Sequence, residues 1–184
     1  GDHGVAAKGA SPYPPEVTTQ MVFNFLAGGA GINVLSRQVG ARVVVADLGV
    51  NYDFTGPNAP LDYKLGRGTA DLSEGPAMTR EQAVRAILAG VDLVEKAGEM
   101  DIIGTGEMGI GNTTPSAAIA AVLTGARVAE VTGRGAGLDD KGLAAKIKLI
   151  EKALEINRPD PNDALDVLAK VGGFEIGGIA GLII

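Results

Sequence analysis

The chain has 184 residues, 46% of them hydrophobic and 21% charged, which is enough apolar content for a packed core and argues against a disordered polymer. A formal net charge of −6, no lysine- or arginine-rich run, and only 4% aromatics with no Trp disfavour nucleic acid as a partner. Cysteine is absent and histidine occurs once, which excludes disulfides, thiolate nucleophiles and clusters of Cys or His around a metal, so no such metal site is expected.

The chain opens on "GDHG", where Asp2 and His3 share a turn and read either as an acid/base pair or as plain turn structure. From Glu16, the apolar residues Val17, Met21, Val22, Phe25 and Leu26 recur at helical spacing up to Gly28-Gly29. A second helix runs from Gly31 to Val39 and stops at Gly40. The period then changes: "RVVVAD", Arg42 to Asp47, is a β-branched run of the kind buried on both faces of a parallel sheet, with Asp47 at its carboxyl end.

Leu48 to Met78, rich in Pro and Gly, reads as a long loop. Thr79 to Gln82 forms a capping box, and Val84, Ile87, Leu88, Val91 and Val94 make one face of the helix that follows, ended by Gly98. "MDII", Met100 to Ile103, is a candidate strand, and Pro115 is placed to start an Ala-rich, buried helix to Leu123. Further helices are expected from Lys141 to Ile156 and from Asp163 to Lys170. The alternation predicts an α/β fold: a Rossmann-like parallel sheet with flanking helices, in a single domain over residues 1–184.

Between strand and Ala-rich helix lies "GTGEMGIGNTTPSAA", Gly104 to Ala118, which satisfies two phosphate-binding patterns and breaks both. As G-x-G-x-x-G it uses Gly104, Gly106 and Gly109, but the acid a dinucleotide needs further on is offered only by Glu130, inside the weak strand "ARVAEV". As a nucleoside-triphosphate loop it has Asn112 where the lysine belongs. Amides at a helix N-terminus still favour an anion, so a single phosphate monoester suits the loop better than a triphosphate. Glu107 projects from this loop towards a hydroxyl, a ring N–H or a cation, or simply into solvent. Lys146 falls among Leu149, Ile150 and Ala153 on the apolar side of its helix, where an ammonium either snorkels to the rim or meets an anionic ligand or Glu107.

"GDHGVAAKGASPYPPEVTTQMVFNFLAGGAGINVLSR", "GTGEMGIGNTTPSAA", "GRGAGLDDKGLAAK" and "VGGFEIGGIAGLI" together resemble nicotinate-nucleotide:dimethylbenzimidazole phosphoribosyltransferases of cobalamin biosynthesis, over essentially the whole chain. The resemblance implies transfer of 5-phosphoribosyl from nicotinate mononucleotide to 5,6-dimethylbenzimidazole, with no cofactor. By the same resemblance, Glu107, Gly109, Ile110, Gly111, Asn112, Thr113 and Lys146 belong to the ribose and phosphate site, and Ser11, Glu16, Gln20 and Met108 to the base pocket. A cytoplasmic homodimer is the expected form. The family's general-base glutamate maps beyond residue 184 and its first helices map before "GDHG", so the chain is expected to be a fragment with slow or no turnover. A non-catalytic nucleotide- or base-binding module, and then a dinucleotide-dependent oxidoreductase, are the alternatives.

Overall fold

The computed structural model describes residues 1–184. Eight helices follow in order: α1 Val17–Leu26, α2 Gly31–Val39, α3 Arg80–Ala97, α4 Thr113–Thr124, α5 Val128–Val131, α6 Asp140–Asn157, α7 Ala164–Val171 and α8 Phe174–Ile183. Two short strands, β1 Ala46–Asp47 and β2 Leu61–Asp62, pair in parallel with Ala46 opposite Leu61. The protein is α/β, with helices greatly outweighing the sheet.

Two further extended stretches continue the parallel layer without regular strand pairing. The Asp2 amide donates to Gly49 O at 2.9 Å, Thr69 N donates to Asp2 O at 3.0 Å, and Gly4 N returns to Thr69 O at 3.0 Å. On the other side, the Gly1 amino nitrogen donates to Met108 O at 3.0 Å. Residues 1–3 therefore lie between the carboxyl ends of the segments that carry Asp47 and Glu107. That edge is where ligands bind in parallel sheets.

Several expectations are corrected here. Arg42–Asp47 is a strand only at Ala46–Asp47, and Val44 is 50% exposed rather than buried on both faces. Met100–Ile103 forms no strand, and Ile102 is 89% exposed. A strand needs a partner for its backbone groups: only Val45–Asp47 of the first stretch finds one, in β2, and no backbone hydrogen bond joins Met100–Ile103 to another segment. "ARVAEV" is not a strand, because Val128–Val131 is a helical turn closed by an Arg127–Glu130 pair at 2.6 Å. The loop from Leu48 to Met78 contains β2, and the run after Gly173, left without an element by sequence patterning, is α8.

Most helices form for the reasons their sequences announce. Thr79 Oγ1 accepts from Gln82 N while Gln82 Oε1 accepts from Thr79 N, which is the capping box of α3. Asp139 caps α6 through Gly142 N, and Asp163 caps α7 through Leu165 N and Asp166 N. One core joins Leu48, Met78, Ala83, Ala89, Leu168, Ala169 and Phe174 beneath α3 and α8. Another packs Ala117, Ala118, Ile150, Val167 and Val171 between α4, α6 and α7. The α3–α8 crossing is set by backbone contact: a Cβ added at Gly90 would lie 2.0 Å from Gly178 O, and one at Gly181 would lie 1.9 Å from Ile87 O. Only glycine permits that approach.

Candidate functional site

The site is built around the N-terminus of α4. The helix begins at Thr113, two residues earlier than Pro115 suggests, with Asn112 as its N-cap. The Asn112 side chain does not cap the helix but donates through Nδ2 to Glu107 Oε1, which folds the exposed Glu107 back over the turn. Of the amides just before and at the helix start, Ile110 N donates to Thr18 Oγ1 at 3.0 Å, Asn112 N to Gly109 O and Thr114 N to Gly111 O. The amides of Gly109, Gly111 and Thr113 have no acceptor within the chain. These are the orphan donors that give a helix N-terminus its affinity for anions.

Lys146 approaches the same point from α6. Its side chain is 1% exposed, so it does not snorkel. Its ammonium donates to Thr113 Oγ1 at 2.5 Å and lies 3.4 Å from Gly133 O. No carboxylate stands within ion-pair distance of it, Glu107 included. Burial pushes the Lys146 amine below its usual value, with no anion to offset that cost. Gly135, at φ +54°, covers this corner; a Cβ there would lie 3.0 Å from Thr113 Oγ1 and 3.4 Å from Lys146 Nζ. Two independent elements, α4 by its dipole and α6 by its lysine, thus place positive charge at one locus.

The other expected residues are less closely gathered. Met108 is half-buried and gives its carbonyl to Gly1. Ser11 is half-buried, its hydroxyl accepting from Tyr13 N at 3.2 Å. Glu16, the N-cap of α1, and Gln20, one turn on, are exposed, and no hydrogen bond ties either side chain to the loop. Asp47, at the carboxyl end of β1, is fully engaged by Gly49 N, Val50 N and Lys64 Nζ. Sequence patterning missed Thr18, which pins the loop to α1, and missed that His3 pairs with Glu175, 172 positions away, at 3.1 Å. Apolar spacing carried no sign of either.

Free amides at a helix N-terminus and a buried lysine without an anionic partner thus meet at the carboxyl edge of a parallel α/β layer. The family model described as phosphoribosyltransferase matches residues 1–184. The chain belongs to that phosphoribosyltransferase family. It is 60% identical over 185 residues to the nicotinate-nucleotide–dimethylbenzimidazole phosphoribosyltransferase of Desulforudis audaxviator, covering 100% of this chain and 52% of the relative. The enzyme of the same name from Geobacter metallireducens is 57% identical, over 100% of this chain and 52% of its own. Among solved structures, CobT from Thermus thermophilus superposes with a TM-score of 0.92 at 45% identity, over 98% of this chain and 55% of that one. The chain spans about half the length of the curated relatives it matches.

Proposed function

We propose that these residues form the phosphoribosyl-binding core of an enzyme that moves 5-phosphoribosyl from nicotinate mononucleotide to 5,6-dimethylbenzimidazole, releasing nicotinate and forming α-ribazole 5′-phosphate. The observation that carries the reading is Lys146: a buried ammonium with one short hydrogen bond, to Thr113 Oγ1 at 2.5 Å, beside free amides at the start of α4. A phosphate monoester would supply the anion both lack. The relatives' names supply the donor and acceptor. Residues 1–184 act in this reading as one core domain, with Ser11, Glu16, Gln20 and Met108 towards the base.

The reaction breaks the ribose C1′–nitrogen bond of a cationic pyridinium, and the electron pair returns to the ring nitrogen. That leaving group departs neutral at the ring, so it needs no proton. The benzimidazole nitrogen forms the new bond to C1′, and its other N–H gives its proton to bulk water at the exposed loop. Glu107, exposed on the loop and tied to Asn112, is placed to face the positive charge that develops on the ribose. Lys146 and the amides of Gly109, Gly111 and Thr113 hold the 5′-phosphate and orient C1′.

Calorimetric titration of nicotinate mononucleotide tests this reading. Saturable binding, weakened by both Glu107→Ala and Lys146→Ala, supports it; no binding to a folded chain overturns it. The reading also takes the protein to be a cytoplasmic homodimer. Its cysteine-free composition and the outward-facing Ile32, Leu35 and Val39 of α2, at 52%, 61% and 79% exposure, support that form. Light scattering that gives a monomer mass would remove the dimer.

A further inference from the structure

Directly beneath Gly109 lies a pair of ionisable side chains for which phosphoribosyl transfer has no chemical use. His3 Nε2 and Glu175 Oε1 are 3.1 Å apart, with side chains 0% and 7% exposed. Neither ring nitrogen and neither carboxylate oxygen makes a directed hydrogen bond, so the two are held by their close approach and by packing. Glycines wall them in. A Cβ at Gly109 would lie 2.1 Å from Gly1 O and 3.0 Å from His3 Nε2, and one at Gly173 would lie 2.7 Å from His3 Cε1 and 2.4 Å from Glu175 Oε1. A Cβ at Gly1 would lie 2.7 Å from Glu175 Oε2.

This geometry ties three elements together. His3 belongs to the extended stretch bridged to Thr69, Glu175 sits in the first turn of α8, and Gly109 opens the loop into α4. A carboxylate in that first turn also faces the positive end of the α8 dipole. Burial pushes the Glu175 carboxyl up, but the charge and contact of His3, helped by the Gly1 amino group, hold it below its ordinary value. The Glu175 carboxylate would be uncompensated in this enclosure without His3 beside it, so the two side chains must stay together. While they do, the Gly1 carbonyl and the imidazole ring together fill the space on the side of Gly109 where a side chain would stand.

We propose that the His3–Glu175 pair is a positioning element that fixes Gly109, and through it the free amides of Gly111 and Thr113, at the height a phosphate requires. The proposal rests on the phosphoribosyl reading of the loop. Neither side chain touches the ligand; both act through the backbone of Gly109. The sealed enclosure also explains why His3 cannot serve as the proton acceptor that "GDHG" suggests, since its ring is without access to any substrate.

The test uses the 184-residue chain with Glu175→Gln, Glu175→Asp and His3→Gln, each well below its own Tm. Nicotinate mononucleotide is titrated calorimetrically, and amide exchange is followed without ligand. Glu175→Gln keeps the shape but drops the charge, and is expected to weaken binding about tenfold or more, as small misplacements of binding groups do. Glu175→Asp keeps the charge and is expected to recover part of that loss. The amides of Ile110 and Asn112, both hydrogen-bonded in the loop, are expected to exchange faster in Glu175→Gln, while those in the middle of α6 do not. Equal affinity for the unaltered chain and Glu175→Gln, with only Tm lowered, overturns the proposal and makes the pair merely structural. If the unaltered chain binds no nicotinate mononucleotide, the phosphoribosyl reading fails. Loop exchange then decides the positioning role alone, and unchanged rates at Ile110 and Asn112 overturn it.

Discussion

Replacing Lys146 by Met is expected to make the protein more stable and to abolish its binding function together. The side chain is 1% exposed, and its ammonium has a single short partner, Thr113 Oγ1 at 2.5 Å, with Gly133 O distant at 3.4 Å. Removing an ion from water costs several kcal/mol in practice. One good hydrogen bond to a charged group returns about 1.5–3 kcal/mol, and a contact of 3.4 Å returns little. Met has nearly the same length and adds an apolar terminus worth about 0.8 kcal/mol. Thr113 and Gly133 are both exposed, so water can replace the lost donor. The net gain is about 1–2 kcal/mol, which raises Tm by roughly 2–8 °C at this chain length. Nicotinate mononucleotide affinity should fall at least ~30-fold, the order expected when one partner of a buried charged contact is removed. The sign with pH follows: Lys146, lowered by burial, penalises the fold wherever it is charged, so the advantage of Met shrinks as pH rises through the folded value towards 10.5. Thermal melts across that range and one calorimetric titration decide it. A variant that melts lower at neutral pH would show that the ammonium is a structural tie, and one that binds normally would show that it does not hold phosphate.

Gly90→Ala should drive α3 and α8 apart, because its Cβ would meet Gly178 O at 2.0 Å. Overpacking at the upper end of its usual ~1–3 kcal/mol should outweigh the ~1 kcal/mol gain in helix propensity and cost about 1–2 kcal/mol net. Gly142→Ala in α6 is the control: its tight contact is the flexible Leu138 side chain, at 2.9 Å, and its Tm should change far less. Thr18→Val keeps the shape but leaves Ile110 N without its acceptor, and should lower stability by about 2 kcal/mol by denaturant titration. Glu175, held below its ordinary 4.5, contributes stability above that pH and loses it as pH falls through the depressed folded value. The Tm gap between the unaltered chain and Glu175→Gln should therefore narrow on the acid side of 4.5, and a gap independent of pH would remove the Glu175 carboxylate charge as its cause.

Helices were readable wherever their own residues decide them. The capping box at Thr79 and the glycine stop after Val39 are local chemistry, and both lie where the sequence places them. Strands were not, because a β-branched run states only a preference, while pairing depends on neighbours far away in sequence. Val43–Val45 and Ile102–Ile103 carry the preference, yet of their backbone groups only Val45 O finds a partner, Leu61 N. The helix α2 misleads in another way: its inward positions are Asn33 and Ser36, and its apolar residues face out. Asn33 is buried because its side chain ties Ala30 N to Phe25 O, a capping role that a hydrophobicity pattern reads backwards. At the site, the helix N-terminus and the misplaced Lys146 were legible as violations of local rules. The His3–Glu175 pair was invisible, since each residue alone breaks none.

The same physical criterion separates structural charges from those left for a ligand. An ammonium has three donors and a carboxylate up to four acceptor sites, so what remains unfilled can be read from the contacts. Lys64 fills all three donors with Asp47 Oδ2, Val50 O and Tyr52 O, at 2.6, 2.5 and 2.9 Å. Asp47 in turn takes two amides and that lysine. This set is closed, and although it lies at the carboxyl edge of β1 it has nothing to offer a substrate. Lys146 has one donor well used, and Glu107 has only Asn112 on one oxygen. Both stand beside the amides of Gly109, Gly111 and Thr113, which donate to nothing in the chain. A fold that engages one charged cluster and leaves another open at a helix N-terminus keeps free donors where a ligand can reach them. On the proposed reading, such donors with the Glu107 carboxylate nearby would suit a ribose that carries a phosphate at one end and develops positive charge at the other.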